Sequence, residues 1–175
     1  MTPKRVALYI DLLKEIQRDG YVLPDAPGNE AWDTTRETFS GWAPELVITK
    51  QTSNGPGVLL APYAGKGKMA ALNGQFHLPG GYHQMTDVNI AEACNRIAER
   101  ELGVGVFVPN PYKPLWTRWW NHGTHPTGRP FSVFLEAWLL GQVKNPEWKF
   151  YLVADLPKPM VQPHEEFINR VLIRR

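Results

Sequence analysis

Phe76-His77-Leu78-Pro79-Gly80-Gly81, followed by Ile90-Ala91-Glu92-Ala93-Cys94-Asn95-Arg96-Ile97-Ala98-Glu99-Arg100-Glu101-Leu102 and the stop Gly103-Val104, sets the architecture of this chain. Asn89 and Glu92 have the spacing of a capping box, which marks the helix start, and Gly103 marks its end. At ~100° per residue, with Ile90 at zero, Cys94, Ile97, Ala93, Ala98 and Leu102 form one apolar stripe. Glu101 falls at roughly 20°, in the middle of that stripe. A carboxylate there is disfavoured twice. It points toward the core, and it sits in the last turn, at the negative end of the helix dipole. A divalent cation or a buried arginine compensates such a charge. The alternative is that Glu101 emerges, solvated, at a frayed helix end. Arg96 and Arg100 share one flank of the helix, which calls for anions or acids nearby.

Around this stretch the chain is ordinary in composition. Its 175 residues suit one domain, since domains commonly run ~100–200 residues. Hydrophobic residues make up 43% and charged residues 21%, and no apolar run nears the ~18 residues that span a bilayer. The N-terminal Val6-Ala7-Leu8-Tyr9-Ile10 is broken by Asp11, Lys14 and Glu15, too early for a signal peptide, so a cytoplasmic protein without membrane association is expected. The single cysteine, Cys94, excludes an internal disulfide and any multi-cysteine zinc cluster. A formal charge of +2 without a dense Lys/Arg block is not the footprint of a nucleic-acid binder, which leaves small polar ligands as the expected partners.

Thr2 and Pro3 open a helix on Val6, Tyr9, Ile10, Leu13 and Ile16 that runs to Gly20. Residues 21–44, with Pro24, Pro27, Gly28, Gly41 and Pro44, form a long loop suited to a lid or to an arm for homodimer formation. The expected organisation is thus a helix-and-loop extension, 1–44, and a folded domain, 45–175. Leu46-Val47-Ile48-Thr49 and Val58-Leu59-Leu60-Ala61, separated by Ser53-Asn54-Gly55-Pro56-Gly57, predict a hairpin. Strand-like runs follow at 114–120, 131–139 and 148–153, and a last helix from Pro163 to Ile173.

The Pro-Gly-Gly turn and its helix resemble a degenerate Nudix box, whose pattern is G-x5-E-x7-R-E-U-x-E-E-x-G-U with U bulky and aliphatic. Arg96 takes the arginine position, Glu101 the last glutamate, Gly103 the glycine and Val104 the final aliphatic. Ile97 and Arg100 stand where two acidic metal ligands belong, and Val88 stands at the early glutamate unless one extra residue places Asp87 there. A similar loss marks the GDP-mannose mannosyl hydrolase branch. The resemblance implies an α/β (α+β) fold of the Nudix type, an α/β/α sandwich with a mixed sheet between helices. It implies Mg2+ or Mn2+ held by the Gly80 carbonyl, Glu101 and the Asn145-Pro146-Glu147 turn, with Glu147 as its acid. It also implies hydrolysis of a nucleoside diphosphate joined to another moiety, such as a nucleotide sugar.

Catalysis by such a site needs an acid or base within reach of water, for which Glu101, Glu147 and His122 are candidates, with His125 beside them in Asn121-His122-Gly123-Thr124-His125. The two histidines are alternatively solvated loop residues. Trp116, Arg118 and Trp120 alternate onto one strand face, which either stacks a base or sugar and neutralises phosphate or packs into the core around a snorkelling arginine. Arg96, Arg100 and Lys66 complete the candidate substrate contacts. Glu136 shares its strand face with Phe134 and Trp138, facing a pocket or a sheet edge. Two functions therefore compete: a metal-dependent Nudix hydrolase, and a catalytically silent Nudix-fold module that binds a nucleotide or a partner. A triphosphate phosphohydrolase is a third.

Overall fold

The computed structural model describes residues 41–84, 86–120, 125–126 and 130–173. The predicted N-terminal helix, and the loop 21–44 as far as residue 40, lie outside the described residues, as does His122.

At the centre is a mixed sheet. Strand β1 (Trp42–Val47) runs parallel to β7 (Phe131–Glu136) from Trp42↔Phe131 to Val47↔Glu136, and β6 (Trp116–Trp119) lies antiparallel on the other side of β7. Parallel neighbours are covered on both faces, which is why Leu46-Val47 and Val133-Phe134-Leu135 read as unbroken buried apolar runs rather than alternating ones. A second sheet is built on β3 (Gly55–Pro62), flanked by β2 (Thr49–Thr52), β4 (Phe76–His77) and β9 (Lys149–Leu152), all antiparallel to it.

The hairpin expectation needs one correction. Leu46 to Thr49 is not one strand: Leu46 and Val47 belong to the mixed sheet, and only from Thr49 does the chain pair with β3, Ile48 bridging the two by accepting from the Leu59 amide at 3.0 Å. The turn is also tighter than expected. Ser53 and Asn54 form the loop, while Gly57 is already in the β3 ladder. β1 starts at Trp42, three residues inside the stretch expected to be loop. The run 131–139 likewise divides at Ala137, where β8 (Trp138–Leu139) leaves to pair with β5 (Val106–Phe107).

Helix α1 (Ile90–Leu102) coincides with the predicted span. Asn89 Oδ1 accepts from the Glu92 amide at 3.0 Å, and Glu92 reaches back to the Val88 amide rather than to Asn89. Gly103 closes it in the left-handed region, φ 69°, donating to the Glu99 carbonyl. Ala93, Cys94, Ile97, Ala98 and Leu102 are all fully buried, the last four against Leu46, Ile48, Leu59 and Leu135. Burial of Ile97 and Leu102 alone contributes roughly 1.5–3 kcal/mol each. On the opposite side, Phe167 of helix α2 (Gln162–Phe167) and Ile168, the first residue of the π-helical turn that continues it (Ile168–Leu172), pack on Val47, Val58, Leu60 and Phe134. The result is the expected helix–sheet–helix sandwich. No helix among the described residues is long and apolar enough to cross a membrane.

Candidate substrate cleft

The segment after β4 runs back along β1. Leu46 donates to the Pro79 carbonyl at 2.7 Å, Gly81 to Pro44 at 3.3 Å and His83 to Trp42 at 3.1 Å, and Glu45 and Gly80 form an antiparallel bridge. This close approach explains the paired glycines. A Cβ on Gly80 would collide with the Glu45 carboxylate, and one on Gly81 would stand 2.7 Å from Arg100 Nη2.

Glu45 is buried and held by groups from two distant segments. Ser132 of β7 donates its hydroxyl to Oε1 at 2.9 Å and itself accepts from Trp120 Nε1 at 3.0 Å. His164 of α2 places Nε2 at 3.6 Å from Oε2, while its Nδ1 accepts the Leu78 amide at 2.9 Å. Because Nδ1 is an acceptor, the proton of a neutral imidazole is on Nε2, facing the carboxylate.

Glu101 lies across the Gly80 backbone from Glu45. The Gly80 amide donates to its Oε2 at 3.3 Å and Arg100 Nη2 donates to its Oε1 at 2.9 Å; the same Nη2 reaches the Gly80 carbonyl at 3.3 Å. Burial raises the Glu101 carboxyl to about 7, the Arg100 charge and hydrogen bond oppose that rise, and the Glu45 charge adds to it. Asn145 caps the same turn, donating Nδ2 to the Glu101 carbonyl at 2.9 Å.

These groups open into one cleft of about 640 Å³. Of the residues singled out from sequence, Gly80, Arg100, Glu101, Glu147, Trp120, Lys66 and His125 line it. Burial, then the His164 charge, lowers His125 to about 4, so it is buried and neutral rather than solvated. Arg96 does not line the cleft: its guanidinium grips Asp87 with two contacts of 2.8 Å and the Tyr82 carbonyl at 2.9 Å, fixing the connection into α1. Trp116 and Arg118 are also elsewhere. They share a face with Trp120 as expected, but α2 covers that part of the face, where Trp116 packs on Phe134 and Phe167 and Arg118 pairs with Glu166 at 2.9 Å. Glu136 is half-buried, with Trp138 Nε1 at 3.4 Å.

Sequence reasoning missed Glu45, Ser132, His77 and His164. A carboxylate inside Ala43-Pro44-Glu45-Leu46-Val47 and a hydroxyl inside Phe131-Ser132-Val133 were the available signals, being polar groups in runs otherwise fit for burial. His77, buried in the cleft wall against Trp148 and Tyr63, is lowered to about 3 by burial and then by His164.

These contacts do not form the metal site that the box implies. Among the described residues no group of three or more His, Cys, Asp or Glu side chains is arranged to hold a metal ion. Two of the three implied ligands, the Gly80 carbonyl and Glu101, are bridged by a guanidinium nitrogen, and the third, Glu147, is an exposed residue of the cleft rim. The arrangement does not fit a magnesium shell.

A comparison with protein-family models finds no match, and neither does one with curated proteins. Solved structures do match. NrtR of Shewanella oneidensis superposes with a TM-score of 0.58 at 18% identity, over 76% of this chain and 62% of that one. A MutT NUDIX hydrolase from Burkholderia pseudomallei gives 0.60 at 17%, over 76% and 98%. The NUDIX domain of S. oneidensis NrtR complexed with ADP ribose gives 0.57 at 16%, over 83% and 98%. The chain thus spans about 62% of the length of the full NrtR chain. Its described residues have the Nudix fold.

Proposed function

We propose that the cleft binds a nucleoside diphosphate joined to a second moiety and hydrolyses that compound. One observation carries the reading: a fully shaped cleft brings together an arginine, two inward-turned carboxylates on either side of the Gly80 turn, and aromatic walls. Arg100 and Lys66 meet the phosphates, since a guanidinium fork matches phosphate oxygens in pairs. Trp120 and Tyr63 give ring surface to a base or sugar. Glu45, its carboxylate oriented by Ser132 and His164, is the group positioned to take a proton from an attacking water, as a general base must be. Glu147 at the rim is the third acid of the cleft, after Glu45 and Glu101. Likeness to a Nudix domain bound to ADP ribose supports a nucleotide derivative as ligand, and the resemblance of the box to the GDP-mannose branch supports a nucleotide sugar among the candidates. The Mg2+ or Mn2+ implied by that resemblance has no step in this reading, because Arg100 bridges its ligands.

That same bridge favours a second reading, a module that binds the nucleotide derivative without turnover. The experiment is a panel of ADP-ribose, GDP-mannose and a dinucleoside polyphosphate, incubated with the protein with and without Mg2+, with products separated by chromatography and binding followed calorimetrically. Hydrolysis of one compound, abolished by Glu45→Gln, supports the enzyme. Saturable binding without product supports the module, and no binding to any of the panel overturns both.

A further inference from the structure

We infer that Arg100 is the resident cation of this cleft, taking the place of a divalent metal, so that a diphosphate is received without one. The inference rests on the reading of the cleft as a diphosphate site. A single nitrogen, Arg100 Nη2, serves both the Gly80 carbonyl, at 3.3 Å, and Glu101 Oε1, at 2.9 Å. The 2.9 Å contact is an ordinary N–H···O length and the 3.3 Å one a long one. Both are about 1 Å too long for Mg2+, which requires oxygens at ~2.0–2.1 Å in a near-ideal octahedron. The other Glu101 oxygen is occupied by the Gly80 amide, so both oxygens of that carboxylate are already served by donors.

Room for the guanidinium is built into the backbone, since any side chain at Gly81 would meet Nη2 at 2.7 Å. The charge is permanent, because a guanidinium does not deprotonate in a protein. A metal ion between the same two oxygens would face a like charge at contact distance. Arg100 is also accessible to a ligand: its side chain is 40% exposed and lines the cleft, so one residue both neutralises Glu101 and presents positive charge to phosphate.

The test is a titration of the full chain with Mn2+ alone, followed by the electron paramagnetic resonance of the free ion. Arg100→Gln is expected to bind Mn2+ at least ~10-fold more tightly than the unmodified protein. Adding Glu101→Gln to it is expected to remove that gain, while Arg100→Lys, which keeps the charge, is expected to bind as weakly as the unmodified chain. Unmodified protein binding one Mn2+ per chain as tightly as Arg100→Gln would overturn the inference. In a second arm, ADP-ribose is titrated calorimetrically in chelator and in Mg2+. Equal affinity in both is the expected result, with a loss of at least ~10-fold in Arg100→Gln in chelator. Affinity that disappears in chelator would show that Arg100 is not the cation. Absence of ADP-ribose binding in either buffer counts against the diphosphate reading, while the Mn2+ titration still decides the place of Arg100.

Discussion

The imidazole of His164 accepts the amide of Leu78 through Nδ1 at 2.9 Å, joining two residues 86 positions apart. It fastens the C-terminal helix to the Pro-Gly-Gly turn and aims Nε2 at Glu45. Replacing His164 by Ala leaves a buried amide without an acceptor, which costs ~1–3 kcal/mol. His164→Ala is expected to lower the thermal midpoint by about 2–4 °C per kcal/mol in a chain of this size. Unfolding curves indistinguishable from those of the parent would show that the bond contributes nothing.

How much of this was visible beforehand differs by element. Helix α1 was legible to the residue because its apolar period, cap and stop are all local, and so was the inward turn of Glu101, which follows from the wheel. The compensating group is an arginine, but where a buried one was expected it is the neighbouring Arg100, whose side chain is 40% exposed. The environment of Glu45 was not legible. Its partner Ser132 is 87 residues away, and the parallel pairing of β1 with β7 that unites them leaves no local pattern. The alternation of Trp116, Arg118 and Trp120 is legible in the sequence, yet alternation does not say which layer covers a face; α2 takes the first two and leaves Trp120 to the cleft.

Two buried histidines make stability depend on pH. His77 is lowered from 6.5 to about 3 and His125 from 6.5 to about 4, in each case by burial first and by the His164 charge second. A group with a depressed folded-state value binds protons more readily when unfolded. Its contribution is therefore intact above about pH 7 and is lost as pH falls below the unfolded value of 6.5. Each is expected to cost on the order of 2 kcal/mol between about pH 7 and pH 5. Urea titrations across that range check this, and His77→Gln should flatten the slope. Glu101, raised to about 7, contributes in the opposite direction over the same range, so the comparison of variants decides: a slope unchanged in His77→Gln would refute the neutral burial of that ring.

Asp87 and Arg96 are expected to act on the fold rather than on ligand contacts. Burial works to raise the Asp87 carboxyl, but the two Arg96 contacts and the Gln84 amide, at 2.7 Å, bring it below the ordinary value. Lysine cannot reproduce the paired geometry, so Arg96→Lys is expected to lose ~1–3 kcal/mol of stability. Calorimetric melting measures this. A melting point equal to that of the parent, together with weakened nucleotide binding, would return Arg96 to the list of ligand contacts.

Glu45→Gln separates chemistry from binding. The substitution nearly preserves volume and leaves an oxygen to accept from Ser132 Oγ, now at 2.9 Å from Oε1, but it removes the charge and the capacity to accept a proton from water. If Glu45 is the base, turnover is expected to fall by roughly 10²–10⁴. The dissociation constant for the same compound should change by less than about tenfold, since Arg100 and the aromatic walls stay in place. Single-turnover rates compared with calorimetric affinities resolve the two effects. Turnover that survives in Glu45→Gln and disappears in Glu147→Gln would move the base to the cleft rim, where the acid is exposed and its proton passes directly to solvent.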